Sequence, residues 1–199
     1  MNRGSWNADD SDRPRWGAKT VLVAEYDYHH EDGTYAYTVM KGINPDKEKI
    51  FTIRRRNMMP FSDMLEPEDK VEWFLGMGEE KPVLFRLPDL IAATKSNPGC
   101  RVLIPEGEKD VMTAVGLGYV ATCNPMGALK WKDEYSKYLK GCDVVVIADK
   151  DARGNPHASQ VAASVRPHAK LVRVLSMPDG HKDLTDWVKA RKEAKAKAC

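Results

Sequence analysis

Three carboxylates stand where an α/β sheet would gather them for metal-assisted phosphoryl transfer: Glu106, Asp149 and Asp151. Glu106 follows the apolar run Val102-Leu103-Ile104 within PEGEKD (105–110). Asp149 and Asp151 follow the longer run 144–148 within DKDARG (149–154). Ligands of open α/β sheets bind beyond the carboxyl ends of the strands, which is where both segments fall. Magnesium is a hard ion that takes oxygen ligands and keeps several waters, so a few carboxylates from separate loops suffice. Mg2+, or Mn2+, is therefore the expected cofactor. Asp149 and Asp151 are two residues apart, so in extended backbone their side chains point the same way. Gly107 and Gly154 permit tight turns and the close approach of a ligand.

The neighbouring acids have two readings each. Glu106 suits a metal ligand or a general base. Asp110 suits a ligand acting through a water, or an acid that favours a helix N-terminus. A third acidic loop, 178–186, carries Asp183 and Asp186. They either join the metal set, Asp183 foremost, or serve as first-turn residues of the last helix. Glu108 is expected to be solvated.

Cations come in two groups. Lys41, Arg54, Arg55 and Arg56 sit in the N-terminal third, and Lys109, Lys130 and Lys150 sit beside the acidic segments. Phosphate contacts by such residues supply sequence-independent affinity for nucleic acid or nucleotide. Trp131, flanked by Lys130 and Lys132, suits base stacking or helix-start packing. His29 and His30 sit beside a turn and are expected to face solvent, while His157, His168 and His181 lack partners at ligand spacing. The four cysteines are scattered without a CxxC pair, which argues against structural zinc.

The elements that must position these residues follow from periodicity. β-rich stretches at 20–28, 34–40 and 50–55 predict a meander, with an Asp32-Gly33 turn between the first two. Residues 57–81 read as a long connection, 82–86 as a short buried strand and 87–95 as a helix. Beyond residue 100, strands at 102–104, 119–123, 143–148 and 171–175 alternate with helices at 109–117, 131–139, 156–165 and 184–195. Uninterrupted Val/Ile runs in that alternation argue for a parallel sheet covered on both faces. The expected organisation is a flexible leader (1–17), a β-rich basic module (18–99) and an α/β catalytic domain (100–199).

Composition sets bounds. With 199 residues, 42% of them hydrophobic, a core of useful size can form. The net charge of +2 creates no whole-protein field toward nucleic acid, so affinity must come from local patches. No run approaches the roughly 20 apolar residues of a membrane helix, and the N-terminus lacks a signal-peptide h-region. A cytoplasmic protein without membrane partners is expected.

Together, EGEKD (106–110) and DKD (149–151) resemble the Toprim signature of DnaG-type primases, topoisomerases and certain nucleases. CNPMGALKWKDEY (123–135), DKDARG and KDLTDWV (182–188) are similar to Toprim proteins of phages and mobile elements, of the primase or primase–helicase kind. The EYDY hairpin, the basic strand 51–56 and LFRLPDL (84–90) fit that subgroup too. The resemblance implies a core that joins ribonucleotides on single-stranded DNA, with Glu106, Asp149 and Asp151 catalytic and Asp110 supporting. It also implies NTPs as substrates, with a replicative helicase or a zinc-binding template module on another chain as partners. A Toprim nuclease and a non-catalytic nucleic-acid-binding module are the alternatives. A topoisomerase would need strand-gating domains for which this chain has no room.

Overall fold

The computed structural model describes residues 16–56 and 73–197. Most of the expected leader, much of the connection after residue 56 and Cys199 lie outside the described residues. The chain divides into two compact units, residues 1–28 with 35–82, and residues 29–34 with 83–199.

The first unit is a four-stranded antiparallel sheet in the order β1-β2-β3-β4. β1 is Val21–His29, β2 is Tyr35–Ile43, β3 is Lys49–Arg56 and β4 is Trp73–Leu75. Thr38 lies opposite Arg54 across β2 and β3, and Arg56 lies opposite Trp73 across β3 and β4. The turn after β1 forms as its residues dictate. Gly33 takes a left-handed φ of 87°, and Asp32 Oδ1 accepts the Thr34 N–H at 2.9 Å. Tyr28 and Tyr37 are fully buried and stack with ring centroids 4.8 Å apart. The short β4 was not expected, because three residues are too few for an alternation to be visible.

The second unit holds a parallel sheet in the order β6-β5-β7-β8. Its strands are β5 (Arg101–Ile104), β6 (Val120–Ala121), β7 (Asp143–Ala148) and β8 (Leu171–Ser176). The helices are α1 (Leu87–Ser96), α2 (Glu108–Gly116), α3 (Gly154–Val165) and α4 (Leu184–Lys197). Alternation along the strands separates two faces. Val102, Ile104, Val144, Val146 and Ala148 join Leu87, Leu90, Leu139, Val161 and Val165 in one apolar core. Leu103, Val145 and Ile147 are buried on the opposite face. The α/β expectation holds, with a parallel sheet after a β-rich module.

Three local expectations change. Residues 82–86 do not form a strand: Pro82 offers no N–H and Arg86 is left-handed, while the Phe85 N–H donates to Cys123 O at 2.9 Å. The strand expected at 119–123 shortens to two residues. The helix expected at 131–139 is a 3-10 helix over Asp133–Leu139. Among the described residues, no helix is long and apolar enough to cross a membrane.

Candidate active site

β5 and β7 are adjacent and parallel, with Ile104 opposite Val146, so the segments that continue from them leave the same edge of the sheet. Glu106 and Asp149 are thereby neighbours in the fold, although 43 positions apart in the sequence. Both are half-buried, and Glu106 Oε2 and Asp149 Oδ1 are fully buried without a hydrogen-bond partner. Burial pushes the Glu106 carboxyl above its ordinary range, and the nearby charge of Asp151 adds to the effect. Burial likewise raises Asp149, followed by the charges of Glu106 and Asp110, to about 7. Two carboxyls that disfavour their own charge, with orphaned oxygens, form a site that a cation or a proton would relieve.

The loop that carries Asp151 is fixed from within. Asp151 Oδ1 accepts the N–H groups of Arg153 and Gly154, each at 3.0 Å, so one carboxylate oxygen shapes the turn into α3. Its Oδ2 lies 3.9 Å from Lys182 Nζ. Gly154 packs on the backbone of Asp149 so closely that a Cβ there would overlap the Asp149 carbonyl oxygen.

Asp110 and Asp183 are committed to the framework. Asp110 is buried, and its Oδ1 accepts the Thr185 N–H at 2.8 Å and the Thr185 hydroxyl at 2.6 Å. Burial raises its pKa, against those two hydrogen bonds. Asp183 Oδ1 accepts the Asp186 N–H at 2.9 Å, and its Oδ2 takes Lys109 Nζ at 2.6 Å. Burial opposes the charge of Asp183, but the Lys109 hydrogen bond and the Asp186 N–H outweigh it and lower its pKa. These acids join α2 to α4. Asp186 accepts the Lys182 N–H at 3.1 Å, also at the start of α4. Glu108, expected in solvent, is 9% exposed, because it opens α2 on the face packed inward.

The expected cations are partly spoken for. Lys109 holds Asp183, and Lys150 holds Asp179. Lys130 is exposed. Lys182 and Arg153, not among the cations expected from sequence, act electrostatically on Glu106. Both sit in segments already marked, KDLTDWV and DKDARG, so their motif membership was the signal. Trp131 takes the packing role: it is 6% exposed, sits edge-on to Tyr135, and donates from Nε1 to Ser136 Oγ at 3.2 Å.

A donor set for magnesium is present in kind rather than as a finished cage. Among the described residues, no three His, Cys, Asp or Glu side chains form a group able to hold a metal by themselves. A magnesium ion commonly takes one or two carboxylates and completes its shell with water and phosphate oxygens. Glu106, Asp149 and Asp151 Oδ2 suit that mode, being all-oxygen and partly orphaned.

In the first unit, cations and aromatics interleave. The Arg54 guanidinium lies 4.4 Å from the Trp73 ring centroid, and Arg56 lies 4.9 Å from that of Tyr35 and 5.4 Å from that of Trp73. Arg55 lies over Phe74 at 5.2 Å, and Lys41 over Phe51 at 5.7 Å. Arg54 also pairs with Glu25 at 2.7 Å. Arg54 Nε and Arg55 Nε remain buried without a hydrogen-bond partner.

No protein-family model matches the sequence, and no curated protein matches it. Solved structures do. The primase fragment of the bacteriophage T7 primase-helicase protein is similar over 87% of this chain and 60% of its own, at 17% identity and a TM-score of 0.51. The DnaG catalytic core is similar over 89% of this chain and 51% of its own, at 18% identity and a TM-score of 0.50. The chain thus spans less than two thirds of either. It has the fold of the DnaG-type primase catalytic core: a Toprim-like parallel sheet preceded by a β-rich antiparallel module.

Proposed function

We propose that this chain is a primase-type nucleotidyltransferase core that makes short RNA primers on single-stranded DNA. The reading rests on one observation above others. The orphaned oxygens Glu106 Oε2 and Asp149 Oδ1 are buried at adjacent strand ends, the region in which open α/β sheets generally bind ligands. The fold likeness to primase catalytic cores supports it.

Glu106, Asp149 and Asp151 would hold Mg2+ or Mn2+. Such an ion, when bound, stabilises charge on the attacking and leaving oxygens of phosphoryl transfer. The protein's own groups have distinct work. Glu106 would take the proton of an attacking 3′-hydroxyl, and its raised pKa brings it closer to the working range of a base. Lys182 and Arg153 temper the negative field at Glu106 and are suited to hold nucleotide phosphates. Lys109 and Lys150 would reach phosphate only by exchanging Asp183 and Asp179 for it. Arg54, Arg55, Arg56 and Lys41 would hold template backbone, with Trp73 offering a stacking face. A replicative helicase or a zinc-binding template module would act from another chain.

The test is primer synthesis by the full chain on single-stranded DNA with labelled NTPs and Mg2+ or Mn2+. In parallel the protein is incubated with end-labelled DNA and RNA. New oligonucleotides that disappear in Asp149→Asn support the reading. Shortened substrate without new product would instead make it a nuclease, and neither product with any ion would end the catalytic reading.

A further inference from the structure

The segment 124–130 leaves the carboxyl end of β6, the same sheet edge as Glu106 and Asp149. Its backbone is not one its residues would choose. Met126 and Leu129, neither of them glycine, sit at left-handed φ values of 69° and 65°. A side chain at such a φ is strained, so the conformation persists only if its surroundings impose it.

Three restraints impose it. Asn124 is 1% exposed and donates from Nδ2 to Pro125 O and to Gly127 O, both at 2.9 Å. Trp131 is buried where the segment ends. Between them, His157 reaches in from α3. Its side chain is 3% exposed, and Nδ1 accepts the Leu129 N–H at 3.0 Å. Burial lowers the imidazole's pKa and so favours the neutral ring, and the Leu129 N–H directed at Nδ1 selects the tautomer in which that nitrogen accepts. A buried histidine that spends its acceptor on one strained backbone amide also fixes the place of the next residue along. That residue is Lys130, which is exposed.

We propose that His157 is a positioning residue: its bond to Leu129 locks the 124–130 segment and so sets Lys130 at the sheet edge to hold a nucleotide's phosphate. This rests on the nucleotidyltransferase reading for its ligand, and on the segment's geometry alone for the lock.

The experiment compares the full-length wild type with His157→Leu, which removes the acceptor, and His157→Asn, which returns an acceptor near the position of Nδ1. Thermal unfolding establishes that the variants fold. Amide exchange at Leu129, binding of ATP and the steady-state constants for primer synthesis are then measured. In His157→Leu, exchange at Leu129 should quicken about tenfold, the scale of one missing hydrogen bond. Kd and KM for ATP should rise together, about three- to tenfold by the same scale, with kcat within about twofold. His157→Asn should recover most of both changes. Histidine 15N shifts of the wild type should show Nδ1 unprotonated and Nε2 protonated at neutral pH.

The opposite tautomer, or a folded His157→Leu with wild-type exchange at Leu129, would overturn the lock, and the tautomer reading needs no variant to fold. An Asn variant as impaired as the Leu variant would also count against it. Faster exchange with unchanged ATP binding would refute the role of Lys130. A wild type that binds no ATP would sink the phosphate role together with the nucleotidyltransferase reading, while exchange and tautomer still decide the lock.

Discussion

A Cβ placed on Gly154 would overlap the carbonyl oxygen of Asp149 and lie 2.9 Å from its amide nitrogen. The first turn of α3 is therefore folded directly onto the backbone of the residue just past β7. Asp151 Oδ1 secures the same turn through the N–H groups of Arg153 and Gly154. The direction in which Asp149 presents its carboxylate depends on there being no side chain at residue 154.

Gly154→Ala should consequently damage the fold and the site together. The neighbour is backbone, so the clash cannot be relieved by a rotamer change, and a loss of about 2–3 kcal/mol is expected, the upper range for overpacking. Urea unfolding reads the stability, and Mg2+ titration by calorimetry reads the site. Wild-type values in both would show that the turn is not packed as described.

The raised pKa of Asp149 gives a pH dependence with a definite sign. In the unfolded chain an aspartate titrates near its ordinary value of about 4, whereas in the fold Asp149 holds its proton to about 7. Between those limits the folded state binds the extra proton, so stability falls as pH rises through the window and levels off above it. A divalent ion needs the ionised form, so Mg2+ affinity should climb with pH by up to about tenfold per unit below 7 and then flatten. Calorimetric titrations at several pH values, in buffers of different ionisation heat, would detect the released proton. Asp149→Asn should weaken both the slope and the release, leaving the share of Glu106, whose carboxyl is raised as well. An affinity that does not vary across this range would contradict the account.

Asp110 should behave as a structural acid, unlike Glu106. Asp110→Ala leaves the N–H and hydroxyl of Thr185 without their acceptor, at a cost of about 2–3 kcal/mol for bonds to a charged group. Thr185→Val should cost less alone, and the double variant less than the sum, because the two remove one interaction. Glu106→Gln removes a buried group that disfavours its own charge, so the metal-free fold should be unharmed or stabilised. Denaturant midpoints of the four variants decide this. Additive losses at residues 110 and 185 would show that the bond is not made.

How much of the molecule is legible in its residues depends on the range of the forces involved. β7 was legible because a strand buried on both faces must be apolar throughout, and Val144 to Ala148 meets that rule without exception. Glu106 and Asp149 could be paired because a parallel sheet delivers successive strand ends to one edge. The hydrogen bond from Thr185 to Asp110 could not be foreseen, since it joins α2 to α4 across 75 positions. His157 fell in the same gap: sequence shows no metal partner for it, and its actual partner is a backbone amide that carries no residue signature. The strand expected at 82–86 was a local misreading, since the missing N–H of Pro82 was in plain view beside the apolar pattern.

The array of arginines and aromatics in the first unit gives the remaining test of the primase reading. Trp73 is 44% exposed, with Arg54 and Arg56 over its ring, so an accessible aromatic surface lies against two cations. The two residue types should fail differently. Arg54→Gln and Arg56→Gln each remove a cation that would neutralise a phosphate. Their affinity for an oligo-dT should fall at low salt, and the salt slope should shrink by about 0.7 for each phosphate no longer neutralised. Trp73→Ala should cost about 1 kcal/mol or more of stacking and leave the slope unchanged, because no counterion is displaced by a ring. Fluorescence anisotropy between about 50 and about 200 mM NaCl spans the range over which such slopes are read. If all three variants keep both affinity and slope, this face of the sheet does not hold single-stranded DNA, and the template must be sought on other residues.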